Sequence, residues 1–478
     1  MSGVTVAGFP VMAQTSVLVV GGGTAGVPAA MAAAEAGAKT LLIEEQGFLG
    51  GAQSGALVTP MMPNYLPDGG GQLSGGLNAR LVARMWASGD GGGEALRNNG
   101  WFNPEALKGV LEEALLETGA DLLFYVKASD VVMDGGRIVA VIVESAMGRA
   151  AITADVVIDA SGDADVAYLA GAWCRRGMAE TLIHRTEQPE NQPTMPASRS
   201  QLMSLRFMMG GVDRERLAAF LSEKATAWAA QQGLTPRPPL IPEVLEGAHT
   251  FDRSWPLGDL FAQVVADGAL EREEIAYLQW FGVPGRPGEL AFNCPRIEMP
   301  LDPLNPYHLT RVQVEGKRRI RRLVAVFKRY IPGCENAYLG HIAPLVGVRE
   351  SRRVVGQYWL TGAEYVGATH FEDGVARSNY PVDVHGAHDW TGATRPPAGQ
   401  WGEIPFRSLV ARDVPNLFMA GRCLSSDFIA QSALRIQPVC RAMGEAAGLG
   451  AAWTAAGRTF DGVAVRAALE AVGSLTIG

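Results

Sequence analysis

Asp383 and His385 stand two residues apart in the stretch YPVDVHG. On an extended strand side chains repeat with a period of two, so both would point to one face. A carboxylate in that position can orient an imidazole to accept a proton, the task of a general base; a structural polar pair is the competing reading. His341, in LGHIAPLVG, is a second candidate base, against the alternative of a buried, hydrogen-bonded histidine. Arg349, Arg352 and Arg353 crowd the segment GVRESRR. A guanidinium can clasp a carboxylate through two parallel hydrogen bonds. Arg349, in the first turn after Gly347, is the expected anion clamp; the other two are expected in salt bridges with Glu350 or neighbouring acids. His385, His388 and Asp389 are too loosely spaced for a metal site, and no metal is expected. The five cysteines (Cys174, Cys294, Cys334, Cys423, Cys440) are odd in number and contain no C-x-x-C. They point to a reduced, cytoplasmic chain rather than a disulfide framework or redox dithiol.

The elements that must position these groups are clearest between Thr15 and Glu45. Ser16 to Val20 is a short apolar run suited to a buried parallel strand. In the turn that follows, Gly21-Gly22-Gly23-Thr24-Ala25-Gly26, the first, third and sixth residues stand at G-x-G-x-x-G spacing. The first glycine permits the sharp turn, the second lets backbone approach a pyrophosphate, and the third lets the helix pack closely on the strand. An alanine-rich helix from about residue 25 to 36 would offer its N-terminal amides to a phosphate. Leu41 to Ile43 would form the second strand, and Glu44, with Glu45 beside it, would end it where a ribose needs an acceptor. This context makes a dinucleotide site the expectation. Gly50 and Gly51 form a second flexible turn, followed by Gln53 and Ser54, folded back beside the same ligand.

The remaining chain shows one more helix–strand unit and a change of texture. Asn103 can cap a helix with Pro104 in its first turn, and Asp134-Gly135-Gly136-Arg137 reads as a hairpin turn. Val156 to Ile158 would be a buried strand running into the small turn Ala160-Ser161-Gly162. The first dozen residues read as a loose tail, and residues 63–100 as loop. From residue 173 to 400 the sequence is richer in Pro, Trp, His and Arg. That region reads as a mixed α+β cap inserted between a Rossmann-like part at 15–172 and its return at 401–456, with a C-terminal tail helix at 457–478. Its longest helix, about residues 310–330, carries a basic run best explained as a solvated face. A net charge of −8 argues against nucleic acid. No Lys or Arg occurs before Lys39, as a leader would need, and the uncharged run before Glu35 is broken by the glycine turn, so neither a leader nor a membrane span is expected.

Taken together, the glycine turn with Glu44, the Leu49–Gly51 turn, DASGDADVAYLAG at 159–171 and NLFMAGRCLSS at 416–426 resemble the glutathione-reductase-type FAD superfamily. With GVRESRRVVGQYWLT at 347–361, YPVDVHG at 380–386 and SALRIQPVCRAMGEAAG at 432–448, the chain is more closely similar to the bacterial FAD-dependent oxidoreductases that include the flavin domain of heterodisulfide reductase. Where related sequences often carry a histidine after A-G-R-C, this chain has Ser425-Ser426-Asp427-Phe428. The resemblance implies FAD, with the pyrophosphate at Gly21–Gly26, the adenosine ribose on Glu44 and the adenine against Val126. It further implies contacts from Ala160, Ser161, Gly162, Gly421 and Arg422. Arg435, Ile436 and Gln437 would then lie where a helix starting at Pro438 faces the flavin N1/O2 edge. With one nucleotide turn and no second for NAD(P)H, the expected acceptor is oxygen, a quinone or a separate redox protein. The expected substrate is a small organic molecule oxidised at a C–OH or C–N bond, the alternatives being a fumarate-reductase-like reaction at a C–C bond next to a carboxylate or a non-catalytic FAD-holding electron-transfer subunit; a homo-oligomer is compatible with the sequence.

Overall fold

The computed structural model describes residues 5–66, 70–92, 100–186, 200–233, 248–249, 256–275, 277–297, 299, 301–385, 390–391 and 394–475. Its first layer is a sheet whose parallel part runs Asp121–Phe124, Thr40–Glu44, Phe9–Val20, Gly148–Asp159 and Leu417–Met419. All five residues of Thr40–Glu44 are buried, as a strand covered on both faces requires. Beyond it the sheet turns antiparallel, Arg137–Ser145 joining Gly148–Asp159 and then Lys127–Asp134. Gly135 and Gly136 make the hairpin turn with φ of +54° and +80°, the pair of positive values a type I′ turn needs.

Two helices lie against this sheet in unusually close contact. Gly26–Glu35 is almost wholly buried, and Gln437–Ala455 packs across it. The contact works because a Cβ at Gly444 would lie 2.1 Å from the carbonyl oxygen of Ala25, and one at Gly448 2.1 Å from that of Ala29. Asn103 caps Pro104–Leu116 by accepting from the Glu105 amide, as its sequence suggests.

The second layer is a five-stranded antiparallel sheet ordered Ala248–His249, Gln279–Gly282, Leu290–Phe292, Phe207–Gly210 and Tyr338–Ile342. The long helix Pro306–Tyr330, capped by Asn305, covers it. Phe207 stacks on Phe292 at 4.4 Å, and Phe327 meets Phe292 and Trp280 edge-on. Leu360, Tyr365, Val375 and Ala376 instead share the first core with Ala29 and Met443.

Three sequence expectations need correction. The first dozen residues are not a loose tail: from Thr5 they form a hairpin with Phe9–Val20, and Val11 is buried opposite Ala151. Residues 63–100 contain the helix Gly76–Ala87, whose Leu77, Leu81 and Met85 bury a stripe at four-residue spacing. Its glycine-flanked start hid that pattern. The strand expected at Val156 to Ile158 begins at Gly148, because its first half pairs with the hairpin.

Candidate active site

The glycine turn has the shape its spacing requires. Gly21 sits at φ +101°, and a Cβ there would lie 2.6 Å from the carbonyl oxygen of Ala160. A Cβ on Gly26 would come within 1.8 Å of the carbonyl oxygen of Gly21. Gly23 differs, since the nearest atom to its virtual Cβ is Gly51 Cα at 3.9 Å. The open side of the turn faces a cavity, and the second glycine turn forms the opposite wall. Glu44 is fixed by its own neighbours: one carboxylate oxygen accepts from the Gly22 amide at 2.7 Å, the other from Gln46 at 2.9 Å. Burial raises its pKa, and these amides act against that rise.

The cavity has a volume of about 1620 Å³, against roughly 300–1,000 Å³ for a drug-sized ligand site. Gly21, Gly23, Thr24, Ala25, Glu44 and Glu45 line one end. Gly51, Gln53, Ala160, Ser161, Gly162, Gly421 and Arg422 follow along its walls, then Ile436 and Gln437. Arg349, Asp383, His385 and Arg435 lie in the same cavity. Gln53 donates to Gln437 at 2.6 Å, and Gln437 donates on to the carbonyls of Val58 and Pro60. This chain of amides fastens the start of helix Gln437–Ala455 to the second glycine turn. The helix has no side-chain N-cap, so its first amides are not spent within the protein side chains. Gln53 Oε1 is buried with no partner.

Other expected site residues are not cavity-lining. Gly22 turns its amide to Glu44, Gly26 is pressed on Gly21, and Gly50 donates to the carbonyl of Gly22. Ser54 donates to the carbonyl of Leu49. Val126 packs in a core with Leu18 and Leu41, and its amide bonds Glu44 through the backbone. These residues shape the cradle from behind. His341 lies on Tyr338–Ile342 opposite Met208 and is not among the residues lining the cavity. His388 and Asp389 lie outside the described residues.

At the cap end the geometry changes. Asp383 accepts from His385 Nε2 at 3.1 Å and from Arg435 at 3.0 Å. The expected Asp–His pair is therefore present, but Arg296 donates to the other ring nitrogen, Nδ1, at 2.6 Å. Burial, then the nearby Arg349, pushes the imidazole down to about 3, so it is neutral at pH 7. Burial alone would raise Asp383; the His385 and Arg435 contacts outweigh it and hold the carboxyl below the usual range. Arg349 donates to the Leu202 carbonyl and the Ser204 hydroxyl, the latter at 3.0 Å. Arg352 and Arg353 pair with Asp165 and Glu180, as expected of structural bridges. Cys423 and Cys440 are buried and free.

Sequence reasoning missed Arg206, Arg296, Tyr277 and Tyr380, all of which line this end. Arg296 lies over the Tyr277 ring at 3.5 Å. Arg206 donates to Asn293 at 2.6 Å. Tyr380 opens the YPVDVHG stretch, but Arg206, Arg296 and Tyr277 stand in no motif, and only the fold brings the four together.

A strand, glycine turn and helix opening onto a large cavity define a Rossmann-like flavoprotein architecture. The chain belongs to the FAD-dependent oxidoreductase family, whose model matches residues 16–471, and FAD is its cofactor. No curated protein matches it. Solved structures similar to it include a geranylgeranyl bacteriochlorophyll reductase-like protein from Thermoplasma acidophilum, 14% identical over 96% of this chain and 79% of that one, TM-score 0.40. The flavin-dependent brominase Bmp2 is 14% identical over 95% and 83%, TM-score 0.44. The p-nitrophenol 4-monooxygenase PnpA from Pseudomonas putida DLL-E4 is 12% identical over 96% and 82%, TM-score 0.41. Among the described residues no helix is long and apolar enough to cross a membrane, and no metal-binding cluster occurs.

Proposed function

We propose that this protein is an FAD-dependent dehydrogenase that removes hydride from a C–OH or C–N carbon of a small organic substrate. The observation that supports it is the single cavity joining the glycine cradle to an Asp383–His385 pair and Arg349. Gly21 to Gly26 and Gly51 would hold the pyrophosphate, Glu44 the ribose, and the amides at Gln437 the N1/O2 edge. FAD, when bound, supplies the two-electron acceptor for the hydride. The relation to the flavin domain of heterodisulfide reductase rests on the shared motifs alone.

The protein's own residues handle the anchor and the proton. Arg349 binds an acidic group on the substrate. A bound anion also offsets the positive charges of Arg349 and Arg296 that hold His385 low, and draws Arg296 away from Nδ1. The imidazole, oriented by Asp383, then accepts the hydroxyl or amine proton as the C=O or C=N bond forms. The two electrons leave later to oxygen, a quinone or a redox protein.

The test is anaerobic reduction of the yellow protein by a panel of polyols, amines and hydroxy acids. Loss of the visible flavin bands with at least one of them is the expected result. A flavin that none reduces, yet that reoxidises with an unsaturated acid after chemical reduction, would replace this reading with reduction of a C=C bond beside a carboxylate.

A further inference from the structure

We infer that the cap end of the cavity is a site for a small dicarboxylate, held by Arg206 and Arg349 and bordered by Arg435. The inference rests on the hydride-transfer reading for the fate of that molecule, but not for its binding.

The argument is one of uncompensated charge. Arg206 and Arg349 are buried, at 8% and 5% exposure. Among the described residues Arg206 reaches only Asn293 and the carbonyl of Ala56, and Arg349 only the Leu202 carbonyl and the Ser204 hydroxyl. None of these partners is charged. Asp383 is the described carboxylate lining this end, and it is already engaged by Arg435 and His385. The other lining acids lie elsewhere: Glu44 and Glu45 at the end of strand Thr40–Glu44 beside the glycine turn, and Asp163 against Arg422 at 2.6 Å. A buried guanidinium without a counter-charge is expensive, and proteins keep such groups where a ligand supplies the charge. Burial and mutual repulsion pull Arg206 down to about 10 and Arg349 well below its usual range. A dianion would relieve both. Arg435 Nε is also buried with no partner, which leaves a further donor at the same place. Two positive charges lacking a partner match two carboxylates better than one, and planar guanidinium forks suit carboxylate geometry.

The experiment uses the full-length FAD-loaded protein, titrated anaerobically with succinate, malonate, acetate, inorganic phosphate and glycerol while the flavin spectrum is followed. Succinate or malonate should perturb the bands saturably, at least about 10-fold tighter than acetate, with glycerol inert. Arg206→Gln and Arg349→Gln should each weaken that binding by roughly 30-fold or more, as removal of one partner of a buried charge pair does. Should either fail to fold, Arg206→Lys and Arg349→Lys keep the charge but lose the fork, with an intermediate loss expected. Thermal stabilisation of the unmutated protein by succinate reads the same site without any variant. Equal affinity for acetate or glycerol, tighter binding of phosphate than of either dicarboxylate, or variants with unchanged succinate affinity would each overturn the assignment. Variants that move only the flavin midpoint potential would assign the arginines to the cofactor instead. Dicarboxylate binding with no flavin reduction by any polyol, amine or hydroxy acid would defeat the dehydrogenase reading alone; reduction by a neutral polyol without dicarboxylate binding would defeat this one alone.

Discussion

The two ends of the cavity solve opposite problems with opposite materials. At the nucleotide end the walls are backbone: glycines stripped of side chains, amides pointing inward and an acid, Glu44, held by two of those amides. At the cap end the walls are long cationic side chains drawn from several elements, with Asp383 among them. At Gly21 and Gly26 that backbone geometry leaves no room for a side chain. Side-chain geometry can be altered a residue at a time, which is where substrate choice is expected to reside.

The sharpest way to break this contrast is Gly26→Val. Its side chain would start 1.8 Å from the carbonyl oxygen of Gly21, a clash with backbone that should cost more than about 3 kcal/mol. The expected outcome is a colourless or unfolded protein by absorbance and calorimetry; a yellow variant with normal Tm would refute the cradle. Glu44→Ala should act next, leaving the Gly22 amide without its acceptor. A loss of about 1–3 kcal/mol, roughly 10- to 100-fold in FAD retention, should appear in flavin content after dialysis.

The cap end is better probed by pH. The free imidazole titrates near 6.5 and the folded His385 near 3. Between those values the unfolded chain binds the extra proton, so stability present above pH 6.5 is lost as pH falls through this window. His385→Gln should therefore show a smaller fall in Tm between about pH 7 and about pH 4.5 than the unmutated protein; identical slopes would mean that the imidazole is not held neutral. The smallest effect is expected where an arginine pair is exposed. Arg216 meets Glu335 at 2.8 Å on the surface, and Arg216→Ala should change stability by less than about 1 kcal/mol. A larger loss there would blur the distinction drawn between solvated and buried arginines.

The nucleotide end was legible because its chemistry is local. Gly21, Gly23 and Gly26 fall within a single turn, and Glu44 follows at the end of the next strand. Gln437 could be placed as well, through Pro438 and the helix it begins. At the cap end the sequence showed Asp383 and His385 as neighbours, Arg349 in its arginine-rich segment and Arg435 beside Pro438. Even there the arginine on Nδ1 could not be foreseen, because Arg296 comes from a separate strand. Arg206 gave no signal for the same reason, and His341, on the strand Tyr338–Ile342, is not among the residues lining the cavity. The helix Gly76–Ala87 was hidden by the glycines at its start, although its buried stripe was present in the sequence.

The bare edge of helix Gln437–Ala455 has a consequence for how the protein matures. Gly444 and Gly448 lie directly against Ala25 and Ala29, so the helix behind the glycine turn is backed by a segment far along the chain. A nascent polypeptide carrying the whole N-terminal motif would still lack a rigid seat for its prosthetic group. Loading should therefore wait until that segment has packed against the motif, and truncations ahead of residue 444 should emerge without colour.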